Sequence, residues 1–273
     1  MKINIKNPLF ILGAGIILIA GSTFGATKAV EEYDSDAQAV TFKTAEFSVD
    51  LQEEQAGKYV SVTDTTDDSG TTKGSGTTKG SGTLAFSSLQ NVVDGNEELK
   101  VDTAYDENVK VVNNSKGDFP EYVRVVVEKY WLDASGEKDP DADPTLIKLA
   151  TTDGWKAITP DDEETEETIY YYTKPLSQNG EVQLIDSITL DKGVLNAYNI
   201  TKEVDGNKYV TISGYEDKSF VVEVRVDAVQ AYSARTQTAE GIVYENAKDA
   251  MLATWGVEVT FDEDGTITSI DGE

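Results

Sequence analysis

Apolar and polar residues alternate in short runs along most of this chain, and each run predicts a strand. The strongest is Phe119-Pro-Glu-Tyr-Val-Arg-Val-Val-Val-Glu-Lys-Tyr-Trp131, rich in β-branched and aromatic residues. Phe220 to Val229 carries apolar residues at 220, 222, 224 and 226 and charges at 223, 225 and 227, the period of two of a half-buried strand. Shorter candidates are 40–42, 47–51, 59–62, 84–86, 109–112, 169–172, 182–185, 209–212 and 257–261. Asp262–Gly265 reads as a tight turn before Ile267 and Ile270. A helical pattern covers Ala239 to Trp255, with Ile242, Ala247, Met251 and Trp255 apolar. Asp143-Pro144 has the chemistry to start a second, short helix through Ile147 and Leu149. Many short strands with one or two inserted helices predict an all-β fold, a jelly-roll-like β-sandwich.

Two stretches break the alternation. Lys2 and Lys6 bracket a polar head, an apolar run extends from Leu9 to Ala20, and small residues follow up to Ala29. That layout predicts a secretory signal peptide over residues 1–29, cut between Ala29 and Val30. The run is too short for a spanning helix, which needs about 20 residues. Residues 30–273 are then expected to form a single exported domain. The second stretch, Thr63 to Thr83, holds the hexad Gly-Thr-Thr-Lys-Gly-Ser twice in tandem, at 70–75 and 76–81. It contains no large hydrophobe to offset its ordering entropy and reads as a flexible loop between two strands.

Composition removes whole chemistries. The chain has no histidine and no cysteine. A Ser-His-Asp triad, a Cys-His dyad, a disulfide and the usual zinc ligand sets are excluded. It carries 23 basic and 50 acidic residues, a net charge of −27. Lys2, Lys6 and Lys28 leave with the signal, which lowers the charge to −30. Such a chain repels nucleic acid and anionic membranes, and its charge keeps it soluble.

Few residues nominate a site. Asp139, Asp141 and Asp143 stand at alternate positions, as calcium ligands do at the start of an EF-hand loop. Prolines at 140 and 144, no glycine at the sixth loop position and Ala150 at the twelfth spoil that match. The three aspartates therefore read as a solvated turn, with a looser calcium site as the alternative. Glu163, Glu164, Glu166 and Glu167 read as an exposed acidic loop, and no pair of acids is singled out for hydrolysis. Trp131, Trp155 and Trp255 read as packing residues, with stacking on sugar rings as the alternative. No catalytic residue and no cofactor is expected.

Several segments are familiar when taken together. They are the export signal, Val40 to Leu51, Tyr122 to Trp131, Asp143 to Ile147, Trp155, Tyr170 to Leu176, Ala228 to Gln230, and Ala253 to Val259. In these loose runs the chain resembles the TasA/camelysin-like exported biofilm matrix proteins of Gram-positive bacteria. The resemblance implies a jelly-roll subunit of an extracellular fibre, released by a dedicated signal peptidase. It implies copies of the same chain as partners, with an accessory matrix protein as a further one. It also implies that an N-terminal strand, here residues 30–39 with Val30, Tyr33, Ala37 and Ala39, adds to the next subunit's sheet. The acids among these residues depart from the expected hydrophobic plug. Val40, Phe42, Phe47, Val49 and Leu51 are read as acceptor contacts or as the first strand of the subunit's own sheet. Proteolysis, linked to one branch of the family, is not expected, because an H-E-x-x-H helix requires histidine. The alternative function is a monomeric surface module that binds carbohydrate or another ligand.

Overall fold

Strand pairing in this protein follows the alternation closely. A computed structural model describes residues 48–62, 77–89, 99–116, 120–159, 166–204, 207–231, 237–238, 241–242 and 245–271. The candidate strand at 40–42 lies outside them. In chain order the elements are β1 (Val49–Gln55), β2 (Lys58–Ser61), β3 (Thr77–Thr83), β4 (Ala104–Asn113), β5 (Glu121–Leu132), β6 (Ile147–Thr151), β7 (Trp155–Ile158), β8 (Glu167–Tyr172) and β9 (Glu181–Leu190). There follow β10 (Tyr198–Val204), β11 (Asn207–Ser213), β12 (Ser219–Gln230), β13 (Gln237–Thr238), β14 (Gly241–Ile242), the helix α1 (Glu245–Trp255), β15 (Glu258–Phe261) and β16 (Ile267–Asp271).

Two five-stranded antiparallel sheets make the sandwich. One has the order β2-β1-β4-β9-β6 and the other β3-β12-β5-β8-β7. Strands 3, 12, 5 and 8 interleave with 4, 9 and 6 across the two layers, which is the winding of a jelly roll. The long pair β5 and β12 is its backbone. Their inward faces meet as Val127 opposite Val224, Val125 opposite Val226 and Val123 opposite Ala228. These side chains pack on Val49, Leu51, Val109, Val111, Ile147, Leu184 and Ile188 of the other sheet.

The outward face of β5 and β12 is not left to solvent. A second core of Tyr122, Tyr171, Val229, Ala247, Met251, Trp255, Val259 and Ile267 forms where α1 and the β15–β16 hairpin lie on it. Asp227, which the alternation places at a charged, solvent-facing position, is buried there. It stands opposite Arg124 and accepts from its Nε at 2.9 Å, with the Trp255 ring 5.2 Å from the guanidinium.

Four sequence expectations are corrected. The run at 84–86 is not a strand but irregular chain following β3, with Phe86 at positive φ. The last third of the 63–83 stretch is not loop: Thr77–Thr83 forms β3 and pairs with β12 from Thr77–Val229 to Thr83–Glu223. Main-chain pairing holds this strand without large side chains. It needs Gly82, because a Cβ there would lie 1.8 Å from the Val62 carbonyl oxygen. The rest of the stretch, residues 63–76, lies outside the described residues. The helix predicted from Ala239 starts only at Glu245, and Gly241–Ile242 pairs with Gln237–Thr238 instead. Glycine and β-branched residues at 241–243 weaken helix formation there. The helix predicted after Asp143 is a single 3-10 turn over Pro144–Leu146, and Ile147 and Leu149 belong to β6.

Candidate functional site

The edges of the two sheets and the point where the N-terminal chain enters them are the surfaces the assembly reading concerns. Among the described residues, β2 and β6 end one sheet and β3 and β7 the other, each pairing on one side. Every residue of β2 is exposed, Tyr59 and Val60 included. Ala150 of β6 and Ala157 of β7 are exposed.

Of the residues assigned to processing and strand donation, Ala29, Val30, Tyr33, Ala37, Ala39, Val40, Phe42 and Phe47 lie outside the described residues. Val49 and Leu51 are fully buried in β1. They face the core opposite Asn113 and Val111 of β4, so they form the first strand of the subunit's own sheet.

The entry point is polar and buried. The Ser48 amide donates to the Ser115 hydroxyl at 3.0 Å, and the Asn114 amide donates to the Ser48 carbonyl at 2.8 Å. Ser115 Oγ donates to Glu121 Oε1. A second contact of the same hydroxyl, to the Ser48 carbonyl, is longer at 3.4 Å. The Ser115 amide donates to Asn113 Oδ1, and Asn113 Nδ2 donates to the Leu176 carbonyl. Glu121 is fully buried, and its Oε2 has no hydrogen-bond partner among the described residues. Burial pushes its carboxyl up to about 7, against the pull of the Ser115 hydroxyl.

The opposite end of the sandwich holds a second buried acid group. Glu53 accepts from the Ala85 amide at 2.9 Å, the Phe86 amide at 2.7 Å and Gln55 Nε2 at 2.8 Å. Glu107 is hydrogen-bonded to Glu53, and Ser88 Oγ lies 3.4 Å from its Oε2. Burial first, then the hydrogen bond to Glu53 and the charge of Glu53, push Glu107 up to about 9. Glu107 therefore keeps its proton near neutral pH. Sequence reasoning missed these groups, although a signal existed. Glu53 continues the inward parity of Val49 and Leu51, Glu107 that of Val109 and Val111, and Glu121 that of Val123 and Val125.

The three candidate calcium ligands do not converge. Asp139 accepts from Lys218 Nζ at 2.5 Å, Tyr198 Oη at 2.8 Å and the Asp141 amide at 3.0 Å. Burial pushes its carboxyl up, but these three partners outweigh burial and hold it below its ordinary value. Asp143 instead accepts from the Thr145 amide at 2.8 Å and caps the 3-10 turn. Among the described residues, no three acidic side chains come together as a metal site.

The tryptophans are packing residues. Trp131 is buried and donates to the Asp143 carbonyl at 2.7 Å. Trp155 donates to the Gln183 carbonyl at 2.8 Å and packs on Tyr172. Trp255, the last residue of α1, packs against Tyr171. They form no exposed aromatic platform of the kind a sugar would stack on.

Comparison with protein-family models, with curated proteins and with solved structures found no match to this chain. Among the described residues, no helix is long and apolar enough to cross a membrane.

Proposed function

We propose that this protein is a secreted structural subunit that polymerises into extracellular matrix or cell-surface fibres, each copy adding residues 30–39 as a strand to a sheet edge of the next. The supporting observation is the seating of β1. Val49 and Leu51 are consumed by the subunit's own core, while among the described residues the sandwich keeps edge strands that pair on one side. The chain ahead of Ser48 is then the segment available to a neighbour, and open edges are what it would pair with. Main-chain hydrogen bonds supply the contact in such strand addition, so the donor needs little hydrophobic character of its own. A head-to-tail contact that does not close into a ring propagates a filament. The resemblance to TasA/camelysin-like proteins points the same way.

In this reading the protein performs no reaction and needs no cofactor. A dedicated signal peptidase frees Val30 during export, and an accessory matrix protein is a further partner. Nucleic acid is not a partner, given the charge.

Electron microscopy of purified chains beginning at Val30 and at Val40, with and without calcium, tests the proposal. Filaments from the longer chain alone are expected. Filaments from both keep the fibre role and refute residues 30–39 as donor. If neither forms filaments, with an accessory protein also supplied, the fibre role fails.

A further inference from the structure

The entry point of the N-terminal chain is built so that one proton decides how firmly it is held. Ser115 has a single hydroxyl hydrogen and two acceptors within reach, Glu121 Oε1 and the Ser48 carbonyl. With Glu121 ionised, the hydrogen goes to the carboxylate, a stronger acceptor than a neutral carbonyl. The Ser48 carbonyl then keeps only the Asn114 amide. With Glu121 protonated, the carboxyl becomes the donor, and the serine hydrogen is released to the Ser48 carbonyl. Ser115 then holds Ser48 by both its amide and its carbonyl.

We infer that Glu121, Ser115 and Ser48 form a proton-operated latch on the root of the N-terminal segment, closed when Glu121 is protonated and loosened when it is ionised. Three features of the site support this direction. Glu121 is fully buried, so its charge is poorly solvated. Its second oxygen has no partner among the described residues, so ionisation leaves a bare acceptor inside the protein. Ser115 is itself buried and already fixed by its amide bond to Asn113, so its hydroxyl can turn but not leave.

Among the described residues, the groups that contact Glu121 are uncharged. Ser115 and Asn113 come from the end of β4 and the turn after it. Leu176 contributes main chain, exchanging hydrogen bonds with the backbone of Glu121 at 3.0 and 2.7 Å, and Gln230 stands opposite on β12. Burial and the Ser115 hydroxyl are the two influences on its ionisation, and its carboxyl lies near 7, where extracellular pH varies. The latch rests on the strand-donation reading only for its consequence, namely that fibre growth quickens as pH rises through neutrality.

Amide exchange measured by NMR on the chain from Val30 between pH 5.5 and 8.5, referenced to intrinsic exchange rates, tests the latch without any fibre. Protection of the Ser48 amide should fall about fivefold across that range, which corresponds to about 1 kcal/mol for one hydrogen bond. The Glu121 carboxyl carbon shift should titrate over the same range. Glu121→Gln should hold Ser48 protected at every pH, because its amide donates to Ser115 as the protonated acid does. If that variant does not fold, Ser115→Ala serves: it should leave Ser48 poorly protected and insensitive to pH. A flat profile in the unaltered chain, or a slope that survives either variant, overturns the latch. If Ser48 protection follows the proton while no filament forms in any condition, the latch stands and the strand-donation reading fails.

Discussion

Glu107 is a buried acid whose charge state affects stability. Its carboxyl is raised to about 9 in the folded protein from an ordinary value of 4.5. Between those values the folded state holds a proton that the unfolded chain has lost, so stability falls as pH rises through that window and is highest below it. The slope approaches about 1.4 kcal/mol per pH unit for one such group. Glu107→Gln, which still donates to Glu53, is expected to flatten the slope and to raise stability at pH 8 by roughly 1–3 kcal/mol. Urea unfolding at pH 5, 7 and 8.5 measures this. The opposite result is expected at Asp227. Its removal leaves Arg124 unpaired beneath Trp255, and Asp227→Ala should destabilise the fold by about 3–5 kcal/mol in the same assay. Both sites were partly legible in the sequence. Strand parity alone places Glu53, Glu107 and Glu121 on the inward face, but it also places Asp227 outside. Parity gives the side of a sheet and says nothing of a third layer, so the burial of Asp227 required α1 and the β15–β16 hairpin to be seen in place.

Among the elements, β3 departs furthest from its local sequence. Residues 71–77 and 77–83 read identically, Thr-Thr-Lys-Gly-Ser-Gly-Thr, and only the second copy is the described strand. Deleting either 71–76 or 77–82 yields the same chain, with the β3 sequence intact and the preceding connection six residues shorter. Because loop-closure entropy depends weakly on length, the deletion should change stability by less than about 1 kcal/mol. Gly82→Val should behave differently, since the new side chain meets the Val62 carbonyl, and a loss of roughly 1–3 kcal/mol is expected. Thermal melts of the two variants separate a spacing role from a steric one. The strand was invisible to hydrophobic periodicity because its partner, β12, supplies the apolar face, while β3 supplies backbone and glycine.

At the scale of the whole molecule, if the protein polymerises as proposed, the chain from Val30, of net charge −30, meets its own copies against electrostatic repulsion. Screening length falls from about 10 Å at 0.1 M salt to about 3 Å at 1 M. Fibre growth from the chain beginning at Val30 should therefore accelerate with ionic strength, and light scattering against sodium chloride concentration tests it. Calcium acting only as a screening ion should be matched by magnesium in the same assay. The absence of cysteine offers a direct check on the acceptor edge. A cysteine introduced at Ala37 should form an intermolecular disulfide ladder with one introduced at the correct edge, either Ala150 on β6 or Ala157 on β7. No ladder from either pairing would place the acceptor at β2 or β3.

The sequence by itself determined the all-β class, most of the strands and the exclusion of histidine and cysteine chemistry, because period-two alternation and composition are local properties. It also carried the parity that turns three glutamates inward. Tertiary structure alone decided that a glycine-rich repeat is an edge strand, that β5 and β12 are covered on both faces, and that Ser48, Ser115 and Glu121 meet. Each of these depends on main-chain pairing or burial between residues far apart in the chain, and no local pattern encodes which distant partner will arrive.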